Sequence, residues 1–580
     1  MSALVEGLVF KDNPFFYLNG DAVSIIRSPD EFFSKLKGLV GTAKTRIHFA
    51  SLYFGTGEKE DELVRCDVFP VLCLLSFLEV SCFLESFSKN SDLRGTVLLD
   101  YCRASRGESN SCTKLLSLKK QFPNRFDVAL FHSPLLRNFW KKVLPQRWNE
   151  IIGVQHMKIY VIDDCIIISG ANLSTNYFTN RQDRYVLLRN ANLADFYVDL
   201  INLVARMSFR LTPNGAVTLH DSCPEHPYNG SYSRFCKILK RDIQCLLERW
   251  RTKQQNAVTH NCDTVVYPLV QLGAVGLHTD DQVIIQFVRD TDQSDQYDLY
   301  LASGYFNPTR AYADALLNTS KHCHLLLASR EFEMNRIVMM DDATVQRPHA
   351  GLAHQVALGE INEEDIAELL ESHDEGLSNS DLLEIERQLT EDQEAPEPRN
   401  PEQAKTLSTK DLSEAFRLLE NAMASFTQKD PQQERSAQSN GFYGAKGFSR
   451  QVPHIYLSYV YDFLNDIVRR DQQHRLLLTE YARDGWTFHA KGIWLRGTKS
   501  DSPYYTIIGS SNFGCRSILR DLESQLVMVT ENGALKRELQ NECDSLFMFG
   551  KRIITTDVVR NYFGVNFFIR LVARLLKNYF

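Results

Sequence analysis

With 580 residues, 44% of them hydrophobic and 24% charged, the chain has ordinary globular composition and is too long for one core, so two domains or a duplicated unit are expected. Its 65 basic and 72 acidic residues give a net charge of −7, which excludes a protein that coats nucleic acid by bulk charge. Thirteen scattered cysteines without a CxxC pair exclude a disulfide framework and a zinc ribbon, and point to a reducing compartment.

The first thirty residues carry only Lys11 and Arg27 as bases, a pattern that fits neither a secretory signal nor an Arg-rich transit peptide. Residues 46–57 (RIHFASLYFGTG) read as an apolar strand ending in a turn. Gly55, Thr56 and Gly57 invite a nucleotide-loop reading, but no GK[ST] follows and the next charges are acidic, so a strand-end turn is expected. The apolar run 69–83 (FPVLCLLSFLEVSCF) contains Glu79 and falls short of the roughly 18 to 20 residues a bilayer requires, so it reads as a buried helix. A second apolar strand, TVLLDY, follows at 96–101.

Residues 135–148 (LLRNFWKKVLPQRW) interleave Arg137, Lys141, Lys142 and Arg147 with Phe139, Trp140 and Trp148. That mixture suits an anionic membrane interface, and equally a helix with a solvated basic face. Further on, DLYLASGYFN at 298–307 repeats the Ala-Ser-x-Tyr-Phe ending of 46–57, and HLLLASRE at 324–331 matches the strand after it. Two α/β units in tandem are therefore expected. Residues 361–400 hold fourteen acidic against two basic residues, a segment unable to bury enough apolar surface to offset its ordering entropy. It marks roughly 332–440 as an acidic, largely disordered insertion, and without residues 361–400 the other 540 carry +5. The C-terminus, NFFIRLVARLLKNYF, reads as an amphipathic helix with Arg570, Arg574 and Lys577 on one stripe.

The chemistry lies in a third pair of matching elements. Residues 156–172 (HMKIYVIDDCIIISGAN) supply His156, Lys158 and Asp163, then Gly170 and Asn172; residues 489–512 supply His489 and Lys491, then Gly509, Ser510 and Asn512. Each HxK opens an apolar strand, where side chains at i and i+2 share one face and can address one anion. Two such faces brought together make a phosphodiester site that needs no metal and no cofactor. Phosphoryl transfer mainly requires charge neutralisation and in-line positioning. One imidazole attacks phosphorus while the other protonates the leaving oxygen, Lys158 and Lys491 hold the non-bridging oxygens, and Asn172 and Asn512 add neutral donors. Each histidine also needs a carboxylate to fix its tautomer.

This constellation resembles the phospholipase D superfamily. The resemblance implies an α/β fold of two tandem phospholipase D-like α/β/α units with pseudo-twofold symmetry: 1–215 with an apolar insert at 67–83, a helical connector at 216–260, and 261–580 interrupted at 332–440, ending in the helix 561–580. In that superfamily an acidic residue about 28 positions after the motif histidine often binds the other histidine nitrogen. Adjusted for local length differences, this points to Asp183, 27 after His156, and Glu523, 34 after His489. Ser169-Gly170 reverses the superfamily's Gly-Ser order, and Arg496 replaces the second Asp.

Within the superfamily, HMKIYVIDDCIIISGANLSTNYFTNRQDRY, GFYGAKG at 441–447 and GSSNFGCRSILRDLESQ are similar to eukaryotic phosphatidylglycerophosphate synthases. That similarity implies CDP-diacylglycerol and glycerol 3-phosphate as substrates, an anionic membrane surface as partner, peripheral attachment to the mitochondrial inner membrane, and no nucleic acid. Gly55–Gly57 would then lie near the CDP phosphates. The alternatives are a tyrosyl-DNA phosphodiesterase-like enzyme or nuclease of the same superfamily, disfavoured by Asp163 and GFYGAKG, and a catalytically impaired scaffold, suggested by Arg496 and the insertions.

Overall fold

The computed structural model describes residues 13–64, 83–137, 146–255, 262–289, 297–328, 452–497 and 504–563, with 570, 573–574 and 577–579 near the C-terminus. The apolar run before Phe83, residues 138–145 of the basic aromatic stretch, the insertion 332–440, GFYGAKG and most of 561–580 lie outside the described residues.

Strand Arg46–Ala50 lies at the centre of the first sheet. It pairs in parallel with Arg94–Asp100, which pairs in parallel with Phe126–Phe131, and Phe209–Leu211 adds antiparallel at that side. On its other side follow, all antiparallel, Ile159–Ile162, Cys165–Ser169, Tyr185–Arg189 and Val23–Ile26. The second sheet repeats this plan around Tyr297–Ser303. Cys323–Ala328 and Leu476–Tyr481 are parallel and Gly550–Ile553 antiparallel on one side. Gly492–Gly497, Tyr504–Gly509, Leu522–Thr530 and Thr264–Leu272 are antiparallel on the other. Eight strands thus recur in the same chain order, spatial order and direction, so the duplication suggested by two short motifs extends through both sheets. Phe16–Leu18 crosses over and pairs with Thr264–Leu272 of the second sheet.

Strand alternation assigns the layers. Leu98, Ile159, Ile166, Val186 and Leu188 point from the first sheet into an apolar layer that also holds Val266, Ile508, Leu526 and Met528 of the second, with helices Ala191–Arg206, Tyr232–Gln255 and Gly533–Phe547. Their strand neighbours Val97, Leu99, Ile167 and Leu187 face outward onto helices Pro29–Gly41, Phe83–Lys89 and Ser111–Gln121. The second sheet buries its outer face, including Leu299, Leu325 and Ile507, against Thr279–Val288, Arg310–Asn318 and Val452–Arg469. A fully buried aliphatic side chain of this kind contributes about 1.5–3 kcal/mol of transfer free energy, so one layer shared by both sheets holds the halves in register. The helices that follow Tyr185–Arg189 and Leu522–Thr530 start in the same way. Asn190 accepts from Leu193 N at 2.9 Å, and Asn532 from Ala534 N and Leu535 N at 3.0 and 2.9 Å.

Candidate active site

Backbone hydrogen bonds between the halves place the two histidines. His156 N donates to Leu522 O at 2.8 Å, while Leu522 N donates to Val154 O at 2.9 Å; His489 N donates to Gln182 O at 2.8 Å. Each histidine is thereby tied to the residue just before a carboxylate of the opposite half. His156 Nδ1 lies 2.9 and 3.0 Å from the Glu523 oxygens, and His489 Nδ1 lies 2.6 Å from Asp183 Oδ2. The carboxylate 27 residues after His156 therefore serves His489, and the one 34 residues after His489 serves His156. An Nδ1–H donated to a carboxylate leaves Nε2 as the working nitrogen.

The i, i+2 spacing carries each lysine back to its histidine, Lys158 to the backbone of His156 and Lys491 to the ring of His489. Lys158 is wholly buried and its Nζ donates to His156 O at 2.7 Å. Lys491, also wholly buried, has Nζ 2.7 Å from Nδ1 and 3.1 Å from Nε2 of His489, and 3.8 Å from Asp183 Oδ2. Burial, aided by the Lys158 charge, pushes His156 well below the usual histidine range, which keeps its ring neutral. Burial likewise lowers Lys158, against the pull of Glu523. It raises Asp183 and Glu523, with Lys491 and Lys158 respectively opposing the shift most.

The neutral donors are placed differently in the two halves. Asn172 Oδ1 accepts from Leu52 N at 3.3 Å and its Nδ2 donates to Tyr177 OH at 3.3 Å, the hydroxyl lying 3.2 Å from His489 Nε2. Asn512 Oδ1 is buried without a hydrogen-bond partner. Ser510 Oγ donates to Ser524 O at 3.2 Å, and with Ser517 it moderates the upward shift of Glu523. The reversed Ser169-Gly170 order has a steric cause: a Cβ at Gly170 would stand 2.6 Å from Asp183 Oδ1 and 2.9 Å from Lys491 Cδ.

No model of a known protein family matches the chain. Curated relatives do match. The mitochondrial CDP-diacylglycerol–glycerol-3-phosphate 3-phosphatidyltransferases of Gallus gallus and Homo sapiens are each 32% identical to it, across 98% of this chain and 85% and 84% of their own lengths. The chain belongs to this family of phosphatidyltransferases. The enzyme of that name from Schizosaccharomyces pombe (strain 972 / ATCC 24843) is 28% identical over 97% of this chain and 95% of its own. Among solved structures, phosphatidylserine synthase of Haemophilus influenzae Rd KW20 superimposes with a TM-score of 0.55 at 17% identity, covering 98% of this chain and 95% of that one, a likeness of fold.

Two expectations for the phosphatidyltransferase site are corrected by its geometry. Asp163, expected among the catalytic residues, sits in the turn between Ile162 and Cys165, beyond the end of the strand that Lys158 opens. Its carboxylate accepts from Lys44 N at 2.9 Å, Thr45 N at 2.8 Å, Thr45 Oγ1 at 2.7 Å and Arg46 N at 3.1 Å. It joins the hairpin to the start of strand Arg46–Ala50 and does not reach the histidines. The same location explains why Arg496 is tolerated: it lies late in strand Gly492–Gly497, 44% exposed and 3.9 Å from Asp544.

Gly55, Thr56 and Gly57 form an irregular link into helix Glu58–Val64, and the space beside them is filled from within the protein. Gly55 N donates to Leu173 O at 2.7 Å, and a Cβ at Gly55 would stand 2.0 Å from Glu60 Oε1. Glu60 in turn accepts from Thr175 N and Oγ1 at 2.8 and 2.6 Å. A buried carboxylate at that place argues against a phosphate cradle.

Sequence reasoning missed Tyr177, Arg181, Arg516 and Asp521. Arg181 had a readable signal, because the RQDR of 181–184 sets two arginines around the expected Asp183. His156, Asp521 and Glu523 bring one metal-ligating atom each to within 4.8 Å of one another. Arg516, 3.1 Å from Asp521, and Lys158 beside Glu523 already supply positive charge to those carboxylates.

Proposed function

We propose that this phosphatidyltransferase works by double displacement through a phosphohistidine on His156. The enzyme forms phosphatidylglycerophosphate and CMP from CDP-diacylglycerol and glycerol 3-phosphate. Nε2 of His156 attacks the phosphatidyl phosphorus, the bond to the CMP phosphate oxygen breaks, and His489 gives that oxygen its proton. A hydroxyl of glycerol 3-phosphate then gives its proton to His489 and its oxygen to phosphorus, which releases His156. Lys158 and Lys491 neutralise the non-bridging oxygens, and Asn512 adds a neutral Nδ2–H donor to the same group.

The single observation that carries this reading is the crossed pairing of two histidines with carboxylates of opposite halves. His156 is assigned the attack because its side chain is 11% exposed against 2% for His489, and because burial keeps its ring neutral. Among the described residues no helix is long and apolar enough to cross a membrane. Peripheral attachment to an anionic surface of the mitochondrial inner membrane, without nucleic acid as partner, completes the proposal, as do the unit boundaries 1–215, 216–260 and 261–580.

Labelled CDP-diacylglycerol with purified His156→Ala and His489→Ala tests it. Both variants lose CMP release by about 10⁴-fold or more while keeping the wild-type melting temperature. A labelled phosphatidyl adduct accumulates on wild type and on a slow His489 variant, and is absent from His156→Ala. Substantial transfer by either alanine variant would refute the two-histidine mechanism.

A further inference from the structure

Two arginines flank Asp183, and both are buried: Arg181 is 3% and Arg184 1% exposed. Arg184 is fully engaged. Its Nε and Nη2 donate to Glu542 at 2.9 and 2.8 Å, Nη1 to Ile507 O at 2.8 Å and Nη2 also to Thr506 Oγ1 at 2.9 Å, with the guanidinium 3.8 Å from the Trp494 ring centroid. Arg181 has none of this. Its Nε and Nη2 are shielded from solvent and have no hydrogen-bond partner, and its guanidinium lies over the face of Tyr177, 4.3 Å from the ring centroid. A buried guanidinium with open donors costs free energy, so the position is built for something that arrives.

Its surroundings say what arrives. The ring it covers carries the hydroxyl that lies 3.2 Å from His489 Nε2, and its own backbone pairs with Thr487, two residues before that histidine. Lys158 has Glu523 and Arg516 has Asp521 to balance it, but Asp183 faces two cations, Lys491 at 3.8 Å and Arg181, which both favour its charged form. Arg181 thus adds net positive charge on the His489 side, where, in the proposed mechanism, the leaving and incoming oxygens pass one after the other. The two molecules concerned, CMP and glycerol 3-phosphate, share one feature, a phosphate monoester.

We propose that Arg181 is the receptor for this phosphate monoester, binding that of the departing CMP and then that of glycerol 3-phosphate, with Tyr177 holding the guanidinium flat beside His489. The proposal rests on the assignment of His489 to the leaving and accepting oxygens. It makes Arg181 a selector for phosphorylated acceptors, because a neutral alcohol leaves its donors unpaired.

The full-length enzyme carrying Arg181→Met or Arg181→Lys tests this through KM, product inhibition and thermal shift. Arg181→Met should raise KM for glycerol 3-phosphate and the CMP inhibition constant at least tenfold each, a larger change than in kcat, with KM for CDP-diacylglycerol less affected. The rise in melting temperature that CMP or glycerol 3-phosphate gives the wild type should disappear, while the ligand-free melting temperature stays equal or increases. Arg181→Lys should recover part of both affinities. Unchanged KM and CMP inhibition would mean that ordered water satisfies the guanidinium, and would overturn the proposal. A lowered ligand-free melting temperature with kcat reduced and affinities intact would make Arg181 structural and also overturn it. An effect confined to one of the two ligands would overturn the shared receptor. If His156→Ala and His489→Ala lose transfer as expected while Arg181→Met binds normally, this inference alone falls; if the histidine variants keep transfer, the mechanism beneath it falls.

Discussion

His156 and His489 occupy equivalent places at the openings of strands Ile159–Ile162 and Gly492–Gly497, yet their neighbourhoods differ. His156 meets Glu523, with Asp521 and Arg516 behind it, and is the more exposed ring. His489 is enclosed by Asp183, Lys491 and Tyr177, with Arg181 stacked on the tyrosine. At the position two before the carboxylate, the first half has Arg181 and the second has Asp521. Duplication thus supplies two histidine–carboxylate pairs of the same build, and in the proposed mechanism the substitutions around them assign the roles. A general acid and a nucleophile need different surroundings, and a strictly symmetric site would not distinguish the first step from the second.

The carboxylates give the most direct way to break the comparison. Glu523→Gln removes the support of His156 although it lies in the other half, and Asp183→Asn does the same to His489. Each should lower kcat by about 10²–10⁴-fold, as loss of the tautomer-fixing carboxylate does elsewhere. Steady-state CMP release measures it, and the adduct distinguishes the halves: Glu523→Gln should slow adduct formation. A Glu523 variant that formed adduct at the wild-type rate would contradict the crossed pairing.

Arg184→Met probes the scaffold common to both rings. It leaves Glu542, 4% exposed, without its buried partner, and should cost about 3–5 kcal/mol in denaturant unfolding. The contrast with Arg181→Met, which should cost nothing without ligand, separates an arginine that holds the halves from one that waits for a phosphate.

The smallest effect is expected from pH. The folded His156 pKa lies below the unfolded value of 6.5, so the unfolded chain binds the extra proton first. The stability linked to this ring is complete above pH 6.5 and declines as pH falls below it. By the same reasoning the acid limb of kcat/KM that reports neutral His156 should lie below pH 6.5. A limb above that value would place the nucleophile elsewhere.

Much of the fold and site was legible in the residues. The HxK spacing placed His and Lys on one strand face, because local strand geometry depends on local sequence, while Asp183 and Glu523 came from the offset that the superfamily resemblance implies. Asp163 was misjudged because its motif adjacency to Lys158 gives no hint that a hairpin turn carries it to the backbone of Lys44–Arg46. Gly55–Gly57 read as a strand-end turn, and nothing in the local sequence showed that Glu60 would fill the space beside it, a neighbour that depends on how helix Glu58–Val64 folds back.

Period-two patterning and short-range spacing in the sequence pointed to the duplicated α/β plan, the two histidines and their lysines, and the superfamily resemblance added Asp183 and Glu523. Tertiary structure alone decided that the carboxylates cross between halves, that Arg184 finds Glu542 358 residues away, and that Arg181 finds no hydrogen-bond partner at Nε or Nη2. The reason is physical. Which face a side chain takes is fixed by its own backbone, but whether a buried charge is paired depends on what the other sheet brings against it.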